Sequence, residues 1–207
     1  MRRRLFRVFL LALLAGCGAE TTQAPLLVLK GTDISAATEF SVAASPGGVR
    51  LALTDHNDRP VTLDSFQGKL VVLFFGYTHC PDVCPTTLAD MAQALKLLPA
   101  DAADQVRVLF VTVDPERDTA EILKAYVPYF HPDFLGLRGT PAQVAQAARE
   151  FRITYRKHVE PGASDYLIDH SAGSYIVDAR GRLRVYLPFA SPPEDIAHDL
   201  AALLRAG

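Results

Sequence analysis

The sequence predicts an α/β fold: a central mixed sheet flanked by helices, with an N-terminal hairpin leading into it. Three observations carry this. The run Leu70–Phe75 is apolar without a break, as a strand covered on both faces must be. Strand-like and helix-like patterns alternate after it. A cysteine pair, Cys80 and Cys84, sits directly behind the apolar run, where the strand hands over to a helix, and a CxxC-like pair in that place is the thioredoxin-like arrangement.

The elements follow in order. Val49–Thr54 and Arg59–Leu63 alternate around Asp55-His56-Asn57-Asp58, a hairpin signal. Pro85 suits the first turn of a helix, and Leu88, Met91, Ala92, Leu95 and Leu98 continue it at helical spacing. Val106–Val113 reads as a second buried strand ending at Asp114-Pro115. Asp118 with Glu121 is a capping pair for a helix to about Tyr126. Thr140 caps a helix over Pro141–Phe151, and Ile153–Val159 is strand-like. Tyr175–Asp178 and Leu183–Leu187 flank a glycine turn at Ala179-Arg180-Gly181, and Pro192–Arg205 is an amphipathic helix. Tyr126, Tyr129 and Phe130 read as core, as do Phe74 and Phe75.

The first residues are an address. Arg2, Arg3, Arg4 and Arg7 precede the apolar stretch Leu5–Ala15, which is short for a bilayer span. Leu14-Ala15-Gly16-Cys17 resembles the lipobox of bacterial lipoproteins, whose cysteine is lipidated and becomes the mature N-terminus; the alternative is an ordinary secretory signal. The expected organisation is therefore a signal peptide over 1–16, a tether and leading segment over 17–45, and a single domain over 46–207. Gly31-Thr32-Asp33-Ile34 is a candidate to dock on that domain. No later stretch is long and apolar enough for a span. Removing the four leader arginines leaves 17 basic against 23 acidic residues, a net charge of −6, which offers no electrostatic reason to bind nucleic acid.

With Cys17 assigned to lipid, Cys80 and Cys84 are the remaining cysteines, in an oxidising compartment. A bridge across three residues removes little unfolded-state entropy, so stability is a poor reason for the pair. A helix N-terminus favours thiolates, which serve both disulfide exchange and soft-metal binding. Three intervening residues, where disulfide oxidoreductases have two, tilt toward a metal. Such oxidoreductases also carry a cis-proline facing the pair. Here no proline occurs between Pro161 and Pro188, and His170 stands before the Tyr175 strand instead. Two thiolates with a neutral imidazole make a set that suits copper, while a histidine that caps the loop is the bland alternative. His79, beside Cys80, points away from it in an extended segment. His56, His131, His158 and His198 read as solvated. Asp82 either caps the helix or tunes the thiols, and Asp114 either supports the site from behind or starts a turn.

Phe75-Gly76-Tyr77-Thr78-His79-Cys80-Pro81-Asp82-Val83-Cys84-Pro85, Val113-Asp114-Pro115-Glu116-Arg117-Asp118-Thr119 and Asp169-His170-Ser171 together resemble the Sco/SenC family of copper-binding proteins, which help assemble cytochrome c oxidase. The likeness runs from about Gly31 to the C-terminus. It implies that Cys80, Cys84 and His170 hold copper, as Cu(I) and as Cu(II), and that Cys80 and Cys84 also form a redox disulfide. It further implies a partner, the copper A centre of oxidase subunit II, served as metal donor, as reductant of its cysteines, or both. Other periplasmic copper chaperones or thiol reductases are further candidate partners. The expected place is the bacterial cell envelope, lipid-anchored on the outer, periplasmic side of the membrane. The role is that of a metallochaperone, with a metal-free thiol–disulfide oxidoreductase as the rival. Two departures from the family pattern, Asp58 at a turn glycine and Ala120 at a proline, leave the metal set untouched.

Overall fold

Seven consecutive buried residues, Leu70–Gly76, form strand β4 and organise everything around it. The computed structural model describes residues 29–34, 50–159, 161–162 and 164–207. The leader, Cys17 and most of the expected tether and leading segment lie outside the described residues, as does Val49. Before β4 come β1 (Thr32–Asp33), β2 (Ala52–Asp55) and β3 (Pro60–Thr62), which runs into a 3-10 turn over Leu63–Phe66. After it come α1 (Val83–Leu97), α2 (Ala100–Ala103), β5 (Val106–Thr112), α3 (Ala120–Phe130), β6 (Leu135–Arg138) and α4 (Pro141–Glu150). The chain ends with β7 (Tyr155–His158), β8 (Leu167–His170), β9 (Ser174–Val177), β10 (Leu183–Leu187) and α5 (Pro193–Ala206).

Eight strands make one mixed sheet in the order β1-β10-β9-β4-β5-β6-β2-β3, and β7 and β8 form a separate antiparallel ribbon. Strands β4, β5 and β6 are parallel, with Gly76 level with Thr112. Strand β9 runs antiparallel along the other side of β4. Helix α1 packs against α5 and α3, and α4 packs against β2. An all-apolar strand needs cover on both faces, and the centre of this sheet supplies it. Pro60 has no N–H to give, which fits its place in the edge strand β3.

The leading strand does dock. Thr32 and Asp33 pair with Tyr186 and Val185 of β10. The buried carboxylate of Asp199 on α5 accepts the Lys30 and Gly31 N–H groups, each at 2.7 Å. The expected central strands, the Asp55–Asp58 turn, the Thr140 cap and the β9–β10 hairpin are all found. Asp58 takes φ 61° in its turn, the left-handed region that glycine adopts at least cost and Asn or Asp tolerate.

Several expectations need correction. Helix α3 is capped by the Thr119 hydroxyl, which accepts from Ile122 N–H; Asp118 faces inward instead. His56 is buried rather than solvated, because its Nδ1 accepts the Gly136 N–H of β6 at 3.0 Å. Tyr129 is 85% exposed, so of the three aromatics on α3 only Tyr126 and Phe130 pack against the core. Strands β6 and β8 were not foreseen, and β7 is shorter than the stretch Ile153–Val159.

The Asp199 latch yields a test. Asp199→Ala leaves two backbone donors without their acceptor and is expected to cost about 1–3 kcal/mol in denaturant unfolding. Native-state hydrogen exchange should show Lys30 and Gly31 losing protection while Val71–Phe75 keep theirs. Unchanged protection at Lys30 and Gly31 would contradict the latch.

Candidate metal centre

The site is built at the end of β4. Gly76 closes the strand, and a Cβ placed there would lie 2.7 Å from the Cys84 sulfur and 2.9 Å from the Phe110 ring. The missing side chain is therefore what lets the Cys84 sulfur reach the strand. The chain then turns through Thr78-His79-Cys80 into α1. Cys84 is fully buried on the first turn of that helix, whereas Cys80 is half-buried just before it. The first turn of a helix has N–H groups without helical acceptors. Here the Cys80 sulfur takes the cap position, accepting the Cys84 N–H at 3.4 Å and drawing on the Asp82 N–H as well.

His170 arrives from β8. Its Nδ1 lies 3.0 Å from the Ser171 carbonyl oxygen, which can only accept, so Nδ1 carries a hydrogen, and in the neutral ring Nε2 is the nitrogen with the lone pair. That Nε2 lies 3.4 Å from the Cys84 sulfur. The ring rests edge-on against Phe74 and Tyr77, at centroid distances of 6.0 and 5.9 Å. Ser171 is tied to Thr154 through its N–H at 2.9 Å and its hydroxyl at 3.0 Å. The two sulfurs and the imidazole nitrogen lie within 4.8 Å of one another.

The two thiols are unequal. Cys80 is held well below the ordinary thiol range, first by the hydrogen bond from the Cys84 thiol and further by the Asp82 and Cys84 amides, against the opposing effect of burial. Cys84 is pushed far up, by its hydrogen bond to Cys80, by burial and by the Cys80 charge. In the reduced protein the first proton leaves Cys80. A half-exposed thiolate beside a buried thiol and an imidazole lone pair can attack a disulfide or take a soft cation.

Two buried carboxylates support this arrangement, and sequence reasoning undervalued both. Asp118 accepts the Thr78 N–H at 3.1 Å, the Thr78 hydroxyl at 2.6 Å and the Thr112 hydroxyl at 2.5 Å, fixing the turn that delivers Cys80. Burial pushes its carboxyl up despite these donors. Asp114 does more than start a turn: it pairs with Arg117 and accepts the Tyr166 hydroxyl at 2.8 Å. Arg117 in turn donates to the Tyr166 carbonyl at 3.0 Å and to Asp165 at 3.0 Å, with its guanidinium 3.7 Å from the Tyr166 ring centre. Tyr77 extends the contact, its hydroxyl accepting the Ile168 N–H at 3.2 Å. The ribbon that carries His170 is thus clasped to the loop after β5. The Asp82 carboxylate, by contrast, makes no cap bond and is exposed, so only its backbone serves the thiols. His79 is exposed, with Nδ1 on the Thr78 hydroxyl at 3.1 Å, and is not in the metal-competent group. A signal for the missed residues was the density of Thr, Asp and Arg in Thr112–Thr119, which is more polar than a simple strand-to-helix connection needs.

Fold and site together define a thioredoxin-like domain with a Cys-Cys-His group at the end of its central strand. The sequence profile of the SCO1/SenC family matches residues 43–205, and the chain belongs to that family. The mitochondrial SCO2 homolog of Bos taurus is 39% identical over 82% of this chain, a match spanning 64% of the bovine protein's length. The copper-bound structure of Bradyrhizobium japonicum ScoI is 41% identical, with a TM-score of 0.68, covering 75% of this chain and 98% of that one. A SCO1/SenC family lipoprotein from Bacillus anthracis is 25% identical at a TM-score of 0.63, covering 74% and 92%.

The clasp makes a prediction. Arg117→Ala leaves the Asp114 carboxylate buried without its cation and should destabilise the protein by about 3–5 kcal/mol in urea. The paired change Asp114→Asn with Arg117→Gln removes both charges and should recover at least half of that. In both proteins the Leu167–His170 amides should exchange faster than in the parent. Unaltered exchange there would show that the clasp does not hold the ribbon.

Proposed function

We propose that this protein is a lipid-anchored copper carrier of the bacterial cell envelope, which serves the copper A centre of cytochrome c oxidase subunit II. The observation that carries the copper reading is the juxtaposition of two sulfurs and an imidazole nitrogen within 4.8 Å, the other ring nitrogen being held by the Ser171 carbonyl. Thiolates suit Cu(I), and imidazole matters more once the ion is Cu(II). The family membership and the copper-bound Bradyrhizobium relative support this reading. The Cys17 lipobox supports the anchor, as does the Bacillus anthracis relative, which is a lipoprotein.

Cys84 is buried beneath the site while Cys80 and His170 are partly open to solvent. An incoming cysteine of the acceptor therefore approaches on the Cys80 and His170 side. Ligand exchange begins there, and the buried Cys84 sulfur is released last. Among the described residues Asp118 and the Arg117 clasp keep the two halves of the site together while this happens.

One observation also favours a thiol–disulfide reductase role. An accessible Cys80 thiolate paired with a buried Cys84 thiol is what reduction of an acceptor disulfide needs. Cys80 would attack one acceptor sulfur and release the other as thiolate. Cys84 would then attack Cys80, its proton passing to the departing sulfur, so that the second acceptor sulfur leaves as a thiol and a Cys80–Cys84 disulfide remains. That role does not require the imidazole as a ligand.

Four measurements test these readings. In reduced anaerobic protein, Cys84→Ser should abolish stoichiometric Cu(I) retention against a strong chelator; retention at one equivalent would refute the ligand set. His170→Ala should keep weakened Cu(I) binding but lose the thiolate-to-Cu(II) charge-transfer absorption, and cells carrying it at low copper should make oxidase lacking its copper A centre. If those cells assemble normal oxidase while Cys80→Ser cells do not, the reductase reading stands instead. Finally, mass spectrometry of membrane-extracted protein should find an acylated N-terminal Cys17, and a conventionally cleaved, unmodified N-terminus would reject the anchor.

A further inference from the structure

The strand registers locate the metal centre relative to the point where the tether joins the domain. Strand β4 runs toward the site, ending at Gly76 against the Cys84 sulfur. Level with Leu73 of β4 is Tyr175 of β9, level with Tyr175 is Tyr186 of β10, and level with Tyr186 is Thr32 of β1. One step along, Val72, Ile176, Val185 and Asp33 share the next row. Strand β1 therefore runs opposite to β4. Its preceding residues, Leu29-Lys30-Gly31, continue toward the level of Phe74, Phe75 and Gly76. Chain leading into the domain thus joins it at the pole that carries the metal centre. Three strand spacings separate β1 from β4, about 15 Å.

This junction is fixed. Asp199 holds the Lys30 and Gly31 N–H groups at 2.7 Å each. A Cβ on Gly31 would lie 2.6 Å from a Val185 methyl carbon, so the backbone is pressed against β10. Twelve residue steps separate Leu29 from Cys17, and a chain of that length reaches at most about 40 Å. A domain of this size is itself roughly 40 Å across. Attachment at the opposite pole would put the site up to about 80 Å from the bilayer, whereas attachment at the observed pole, with the site about 15 Å to one side of the junction, bounds it at about 55 Å.

From this we infer that the metal-site pole of the domain faces the lipid bilayer, and that the site works on an acceptor held close to that membrane surface rather than on one free in the surrounding compartment. The inference rests on the lipid anchor at Cys17 proposed above. Two loops mark the poles. Phe189, 43% exposed, follows β10 and lies at the site pole. Arg180, in the turn between β9 and β10, lies at the other.

The test uses the full-length protein, processed in cells and reconstituted into phosphatidylcholine vesicles whose headgroups carry an acceptor dye. p-Acetylphenylalanine replaces Phe189 in one version and Arg180 in another, and each ketone takes the same donor dye, leaving the cysteines untouched. Energy transfer from position 189 is expected to exceed that from position 180 by at least twofold. Asp199→Ala, which frees the leading strand, should narrow the difference. Equal transfer, or more from position 180, in protein whose Cys17 acylation is verified by mass would overturn the orientation alone. Protein that neither carries the acyl group nor sediments with the vesicles would overturn both the anchor and the orientation.

Discussion

The burial of the Cys84 sulfur against the end of the central strand is the constraint on which the rest depends. A thiol with no exposure, backed by the glycine Gly76, cannot move to meet its partners. They must be brought to it. The first helical turn brings Cys80, whose sulfur stands in for a capping oxygen, and strand β8 brings His170. Because the Cys80 turn and the His170 ribbon lie outside the main sheet, their accuracy depends on what ties those segments down.

Those ties are polar and buried. Asp118 gathers Thr78 and Thr112, joining the Cys80 turn to β5. Asp114 and Arg117 gather Tyr166, joining the His170 ribbon to the loop after β5. Both carboxylates start from the same five-residue stretch, Asp114–Asp118, so one loop registers the thiol half of the site against the imidazole half. Buried carboxylates are costly unless satisfied, and each here has its donors. The His170 tautomer follows the same logic: the Ser171 carbonyl takes the Nδ1 hydrogen, leaving Nε2 for the sulfurs.

Much of this was legible in the sequence, for reasons that differ along the chain. Leu70–Phe75 announces a central strand because burial on both faces leaves no polar position. Thr140 with Pro141 marks a helix start because capping is local chemistry. The Cys80–Cys84 pair and His170, which the fold brings together, stand out through residue type. What was hidden depends on distant partners. Strands β6 and β8 are four residues each, too short for a period to show. Asp118 looks like a cap because Thr78, forty positions away, is invisible locally. His56 looks like a turn residue until β6 lies beside it. Tyr129 follows the aromatic pattern of α3 but falls on its outer side.

The central claim is that both sulfurs and the His170 imidazole bind one ion together. X-ray absorption at the copper edge of anaerobically loaded Cu(I) protein addresses it directly. Two sulfur scatterers and one imidazole nitrogen are expected, with the imidazole multiple-scattering pattern lost in His170→Ala. A spectrum of the parent protein fitted by sulfur alone, or one unchanged by His170→Ala, would contradict the claim.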